Sequence, residues 1–286
     1  MSIFEINQPS DLVRHYRHRA KKHFGQHFLV DPSILTRLVE AAGVEPGDRV
    51  LEIGPGCGTL TWTLLKFGAK VTAIEIDEDS VDFLRNIANL DGELEIVQED
   101  ALEVDVEELC RRHEGRWRCV SNLPYNVATE ILFHLAPSFD RFDALVLMFQ
   151  REVAQRLVAR AGDESFGRLS LMAQLYADIE VVQTLAPGAF IPHPKVFSAA
   201  VRLDPIPGTR VKNAEIREAF DQIVRAAFQA RRKILPNALA STGVEKEKLE
   251  AAIEAVNLSR TVRPERVAFE SWVELARKLA PLLDRD

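Results

Sequence analysis

RVLEIGPGCGTLT, residues 49–61, decides the fold. Val50, Leu51 and Ile53 form an apolar run of the kind a buried parallel strand requires. Gly54, Gly56 and Gly58 follow, and they permit a tight turn and close backbone approach to a ligand. Over residues 60–67 (LTWTLLKF) the apolar residues return at helical period. Strand, glycine turn and helix in that order set helix N-terminal amides beside the carboxyl end of a central strand. Open α/β sheets bind nucleotide-like ligands there. A dinucleotide fingerprint needs its third glycine at position 59, which is Thr59; here it comes one residue early, at Gly58. Residues 70–76 (KVTAIEI) read as the next strand. Glu75 near its end stands about 20 residues beyond the turn, where an acidic side chain can accept both ribose hydroxyls. The competing reading of Glu75 is a solvated strand-end carboxylate.

The pattern E-x-G-x-G-x-G, from Glu52 to Gly58, resembles motif I of S-adenosylmethionine-dependent methyltransferases. Their cofactor has no pyrophosphate to cradle, which fits the shifted third glycine.

Composition sets outer bounds. A chain of 286 residues with 47% hydrophobic content can bury a full core and suits one large domain plus a smaller one. No signal peptide is visible, and residues 144–149 (ALVLMF) are too short an apolar run to span a bilayer, so no membrane association is expected. Cys57, Cys110 and Cys119 are odd in number and lack metal-type spacing, which points to a reducing cytoplasm without zinc or disulfides. Net charge is −7, yet residues 75–108 hold fourteen acids against one base, Arg85. That local −13 within −7 leaves +6 on the remainder, which leaves room for an RNA-binding surface.

Residues 1–11 show no clear period. Residues 12–30 carry Arg14, Arg17, Arg19, Lys21 and Lys22 with no acid, and read either as a solvated tail or as a phosphate-gripping arm. Asp31 and Pro32 look like the cap and first residue of a helix ending near residue 42. A helix over 78–89 and strands over 94–98 and 118–121 follow. Asp100, after the first of these strands, can reach the adenine side of a nucleotide or cap a helix; the sequence leaves both open. After the second comes Asn122-Leu123-Pro124-Tyr125. An exocyclic amine on a base is a poor nucleophile because its lone pair is delocalised into the ring. The Asn122 amide oxygen and the Leu123 carbonyl can accept its two protons, Pro124 stiffens the turn, and Tyr125 offers a stacking face. Farther on lie helices over 127–135, 150–160 and 169–177, and strands over 143–149, 179–185 and 196–203. The loop PGAFIPHPK, residues 187–195, is stiffened by prolines and should display Phe190.

Nearly the whole chain now resembles the ribosomal RNA adenine N6,N6-dimethyltransferases of the bacterial small-subunit type. The resemblance rests on FGQHFLVD, LEIGPGCGTLT, AIEID, EDAL, NLPYN, FGRLS, FIPHPKVFSAAVRL and AAFQARRKILPNAL in this order, and on a C-terminal LSRTVRPERVAFESWVELA. It implies S-adenosylmethionine as cofactor, with contacts from His27, Leu29, Gly54, Glu75, Asp100 and Asn122, and Gly56 in the same turn. It further implies that Tyr125 and Phe190 flank the target adenine. The implied substrate is a terminal hairpin of 16S rRNA, dimethylated on two adjacent adenines during small-subunit maturation. The expected architecture is a basic N-terminal arm (1–30), a Rossmann-like seven-stranded α/β methyltransferase domain (31–204) and a small all-helical RNA-docking domain (205–286). The last carries fifteen basic and twelve acidic residues, with Arg225, Arg231, Arg232 and Lys233 clustered and Arg260, Arg263 and Arg266 nearby. A cytoplasmic monomer without metal is expected. Competing readings are a ribosome-assembly factor with secondary methylation, a large-subunit methylase, and, disfavoured by Thr59, a NAD-dependent dehydrogenase.

Overall fold

The computed structural model describes residues 6–16, 27–88 and 92–283. Arg17, Arg19, Lys21, Lys22 and the expected helix end at Asn89 lie outside the described residues. The chain divides into two compact units. One runs to Ala154 and resumes over Asp178–Pro205; the other takes Gln155–Ala177 and everything from Ile206.

The first unit begins with a helix where the run of bases predicts a tail or an arm. In α1 (Pro9–Tyr16), Asp11 accepts the Asn7 and Gln8 amides at 3.1 Å each, and Leu12, Val13 and Tyr16 are buried. The short β1 (Phe28–Leu29) leads to α2 (Pro32–Ala41). Asp31 caps α2 by accepting from the Ser33 and Ile34 amides at 2.9 and 3.2 Å, an arrangement that contributes about 1 kcal/mol.

Next come β2 (Arg49–Ile53), α3 (Thr59–Lys66), β3 (Lys70–Ile74), α4 (Glu78–Ala88) and β4 (Glu93–Val97). A six-residue α5 (Val106–Arg111) is capped by Asp105. Then follow β5 (Trp117–Ser121), α6 (Ala128–Leu135), β6 (Phe142–Gln150) and α7 (Arg151–Val158), within which the division between units falls. The strands β7 (Ala177–Leu185), β8 (Phe190–Ile191) and β9 (Ser198–Pro205) complete this part.

Seven strands form one sheet in the order β4-β3-β2-β5-β6-β9-β7. β2 pairs in parallel with both β3 and β5, and β6 pairs antiparallel with β9. The order reverses beside β2, whose successor β3 lies on one side while β5 lies on the other. This switch point is where a crevice opens at the carboxyl ends of the strands. β1 and β8 make a separate two-stranded ladder.

The second unit contains α8 (Arg168–Gln174), α9 (Ala214–Gln229), α10 (Leu235–Ala238), α11 (Lys246–Ala255) and α12 (Phe269–Leu279). Phe166, Leu171 and Leu175 bury in one cluster with Phe220, Ile223 and Trp272. Residues 155–177, assigned by sequence to the sheet domain, therefore pack with the C-terminal helices. Helix α10 starts at Leu235, because Pro236 has no amide hydrogen and fits only the first turn. Among the described residues no helix is long and apolar enough to cross a membrane.

Candidate functional site

The glycine turn joins β2 to α3 with a backbone that only glycine adopts readily. Gly54, Gly56 and Gly58 have φ of +66°, +54° and +78°. The Gly54 amide donates to the Ile74 carbonyl at 2.9 Å, which ties the end of β2 to the end of β3. Glu75, 4% exposed, is gripped at both carboxylate oxygens: Oε2 accepts from the Gly56 amide at 3.0 Å and Oε1 from the Asp77 amide at 2.9 Å. Burial pushes its carboxyl up, against the lowering effect of those two amides. Each oxygen keeps capacity to accept one more donor, the number that a ribose diol offers.

Across the crevice lies the NLPY corner. Ser121 Oγ, at the end of β5, accepts the Ile53 amide at 2.8 Å, so the two strands deliver their loops together. A Cβ on Gly54 would lie 3.4 Å from Pro124 Cδ, so the glycine turn and the corner stand in contact. The Asn122 side-chain nitrogen donates to the His27 carbonyl at 2.9 Å. That leaves the amide oxygen as its acceptor. His27 Nδ1 donates to the Pro192 carbonyl at 2.8 Å, and its ring stacks on Tyr125 at 6.0 Å and 29°. The Tyr125 hydroxyl bonds Ser198 Oγ. Together these parts enclose a cavity of about 250 Å³ lined by His27, Gly54, Gly56, Glu75, Asp100 and the NLPY residues among others.

The model of the ribosomal RNA adenine dimethylase family matches residues 17–280. The chain belongs to that family. It is 40% identical over 260 residues to the ribosomal RNA small subunit methyltransferase A of Magnetococcus marinus, covering 91% of this chain and 92% of that one. Among solved structures it resembles a dimethyladenosine transferase from Plasmodium falciparum (26% identity, 88% and 97% coverage, TM-score 0.74). It also resembles the 23S rRNA methyltransferase ErmE (26% identity, 88% and 99% coverage, TM-score 0.68). The chain is thus a methyltransferase with a Rossmann-like fold, and its methyl donor is S-adenosylmethionine. The cavity suits that donor: two glycines leave room against Phe28 and Pro124, and Glu75 presents a fixed diol acceptor.

Within this adenine dimethylase, most of the expected site residues line the cavity, but two do not. Phe190 is fully buried, because β8 pairs with β1 in the register Leu29↔Phe190 and turns the ring into the sheet domain's core. The expected display of that ring does not hold. Leu29 is 1% exposed and packs in the same core, so its side chain is not part of the cavity wall. Asp100 caps no helix among the described residues, since Asp105 takes that place on α5. Asp100 Oδ1 accepts from the Leu102 amide at 3.0 Å, and the residue still lines the cavity.

Glu52 lines the cavity too, although the sequence reading quoted it without giving it a role. It is 1% exposed, accepts from Thr61 Oγ1 at 2.7 Å, and burial pushes its carboxyl up to about 8. The signal available in the sequence was a carboxyl inside an otherwise apolar strand. Ile76, 52% exposed, also lines the cavity.

The basic residues of the helical unit separate into two groups. Arg225 pairs with Asp221 at 2.5 Å, and Arg260 pairs with Glu250 and Glu254 at 2.7 and 2.5 Å. These are ion pairs on the surface of the helices. Arg231 donates to the Glu164 carbonyl at 2.7 Å. Arg232, Lys233, Arg263 and Arg266 are exposed and, among the described residues, make no ion pair with a carboxylate.

Proposed function

We propose that this chain methylates N6 of two adjacent adenines in a terminal hairpin of 16S rRNA, giving N6,N6-dimethyladenosine in the immature small subunit. The observation that carries the reading is the contact of Gly54 with Pro124. It supports a reading in which Glu75 receives the ribose diol and the NLPY corner orients the amine within one cavity. The identity of 40% to a small-subunit enzyme, against 26% to a 23S enzyme, supports the small-subunit target.

When bound, S-adenosylmethionine supplies a methyl group already activated by its sulfonium. Glu75 holds the ribose, the turn at Gly54 and Gly56 admits the cofactor close to backbone, and His27 and Asp100 bound its edges. The Asn122 amide oxygen and the Leu123 carbonyl accept the two protons of the target amine and draw its nitrogen toward tetrahedral geometry. Tyr125, held by Ser198, stacks on the base once it leaves its helix, a step that costs a few kcal/mol. The nitrogen becomes cationic on methylation and then releases a proton to water, so no strong base is needed. Most of the acceleration comes from positioning. Arg232, Lys233, Arg263 and Arg266 supply phosphate contacts from the helical unit. The protein works as a cytoplasmic monomer.

Mass spectrometry of rRNA nucleosides from cells with and without the protein tests this. Loss of dimethyladenosine from 16S rRNA alone is expected. Loss from 23S rRNA, or no loss, overturns the reading.

A further inference from the structure

Behind Glu75 sits a buried polar cluster that the mechanism above leaves unused. Tyr16, at the end of α1, is 1% exposed. Its hydroxyl meets Ser80 Oγ at 2.7 Å and Asp77 Oδ2 at 3.2 Å. Ser80, fully buried, donates its amide and its hydroxyl to that same Asp77 oxygen at 3.0 and 2.9 Å. The Asp77 amide in turn holds Glu75 Oε1 at 2.9 Å. The tyrosine ring reaches the other wall as well. It packs edge-on against Phe28, centroids 5.6 Å apart, and against Phe83 at 5.2 Å. Phe28 lines the cavity and leaves so little room at Gly56 that a Cβ there would lie 2.7 Å from its Cε1.

We infer that Tyr16 is a positioning residue for the cofactor's ribose, acting through Asp77 on Glu75 and through Phe28 on the glycine turn. The inference rests on the assignment of Glu75 to the ribose. The physical logic is that of an outer partner orienting an inner one. A carboxylate aims two acceptors at a diol only if its own holders cannot rotate. Asp77 is such a holder, and its side chain is fixed by Ser80 and by a tyrosine sixty-one residues away in sequence. Burial first, and then the Asp77 carboxylate, push the Tyr16 hydroxyl up, so it remains a donor at any working pH.

The test compares S-adenosylhomocysteine with its 2′-deoxyribose analogue by titration calorimetry, on the full-length wild type and on Tyr16→Phe, Ser80→Ala and Glu75→Gln. Tyr16→Phe keeps the ring contacts, and Ser80→Ala removes the same cluster's other hydroxyl, so a folding defect in one variant leaves the other readable. Each should weaken the ribose ligand on the order of fivefold, the size of one lost hydrogen bond. Each should weaken the 2′-deoxy ligand less than twofold. A purely structural role for Tyr16 would weaken both ligands equally, and that result overturns the inference. If Glu75→Gln loses its preference for ribose while both hydroxyl variants keep theirs, the role of Tyr16 alone falls. If Glu75→Gln binds both ligands as the wild type does, the ribose assignment falls and this inference with it.

Discussion

The two ends of the cavity are held in different ways. At the cofactor end, Glu75 is fixed by amides of Gly56 and Asp77, which lie nineteen and two residues from it in sequence. At the amine end, Asn122 depends on His27 at a separation of ninety-five residues, Tyr125 on Ser198 at seventy-three, and His27 on Pro192 at one hundred and sixty-five. On the proposed reading, the ribose of the donor meets a nearly local device of two strands and a turn. The acceptor corner is assembled only when distant segments meet. Such a division lets one cofactor module serve many substrates, because substrate choice resides in contacts that local sequence does not dictate.

Four substitutions test this contrast, in descending order of expected effect. Phe190→Ala should destabilise the protein by about 3–5 kcal/mol, since its ring is core. Denaturant unfolding reads that loss. A normally stable variant with abolished turnover would return the ring to the site. Asn122→Ala should lower kcat on the order of 10²–10³, as loss of one positioned polar group does, while cofactor Kd changes less than about threefold. Equal losses in both, by methyl-transfer kinetics and calorimetry, would erase the distinction between the ends. Glu75→Ala should raise cofactor Kd about 10–100-fold, as expected for hydrogen bonds to a charged group. An unchanged Kd would place the ribose elsewhere.

The fourth is a pH effect at Glu52. Its carboxyl lies near 4.5 when unfolded and is pushed up to about 8 when folded, so the folded state binds the extra proton between those values. Stability of the cofactor-free protein then falls as pH rises through that window, by up to about 1.4 kcal/mol per pH unit from this group. Glu52→Gln should flatten the slope, which melting temperatures between pH 5 and 8 would show. An identical slope in both proteins would mean that the carboxyl is already ionised.

The contrast also explains what could be read from the chain beforehand. The α/β class, the strand, turn and helix around the glycines and the place of Glu75 are written in short windows where period and spacing carry the signal. Helix α9 is equally local in its causes, since Asn213 caps it by accepting the Ile216 amide and its buried residues recur along one face. Phe190 misled because proline flanks suggest a displayed loop, whereas a two-residue ladder with β1 decides where the ring goes. That pairing spans more than one hundred and sixty residues, and no local window contains it. Helix α1 was hidden for a different reason. Its Leu12, Val13 and Tyr16 do follow helical spacing, but the run of bases around them drew attention to charge.

The helical unit is built from two pieces of chain, with strands of the sheet intervening. Anyone grafting it onto another catalytic module at residue 205 would leave Phe166, Leu171 and Leu175 behind, stripped of their cover. Both halves would then expose freshly cut apolar surface and clump. A working chimera must transplant the earlier segment along with the later one, as one discontinuous insert.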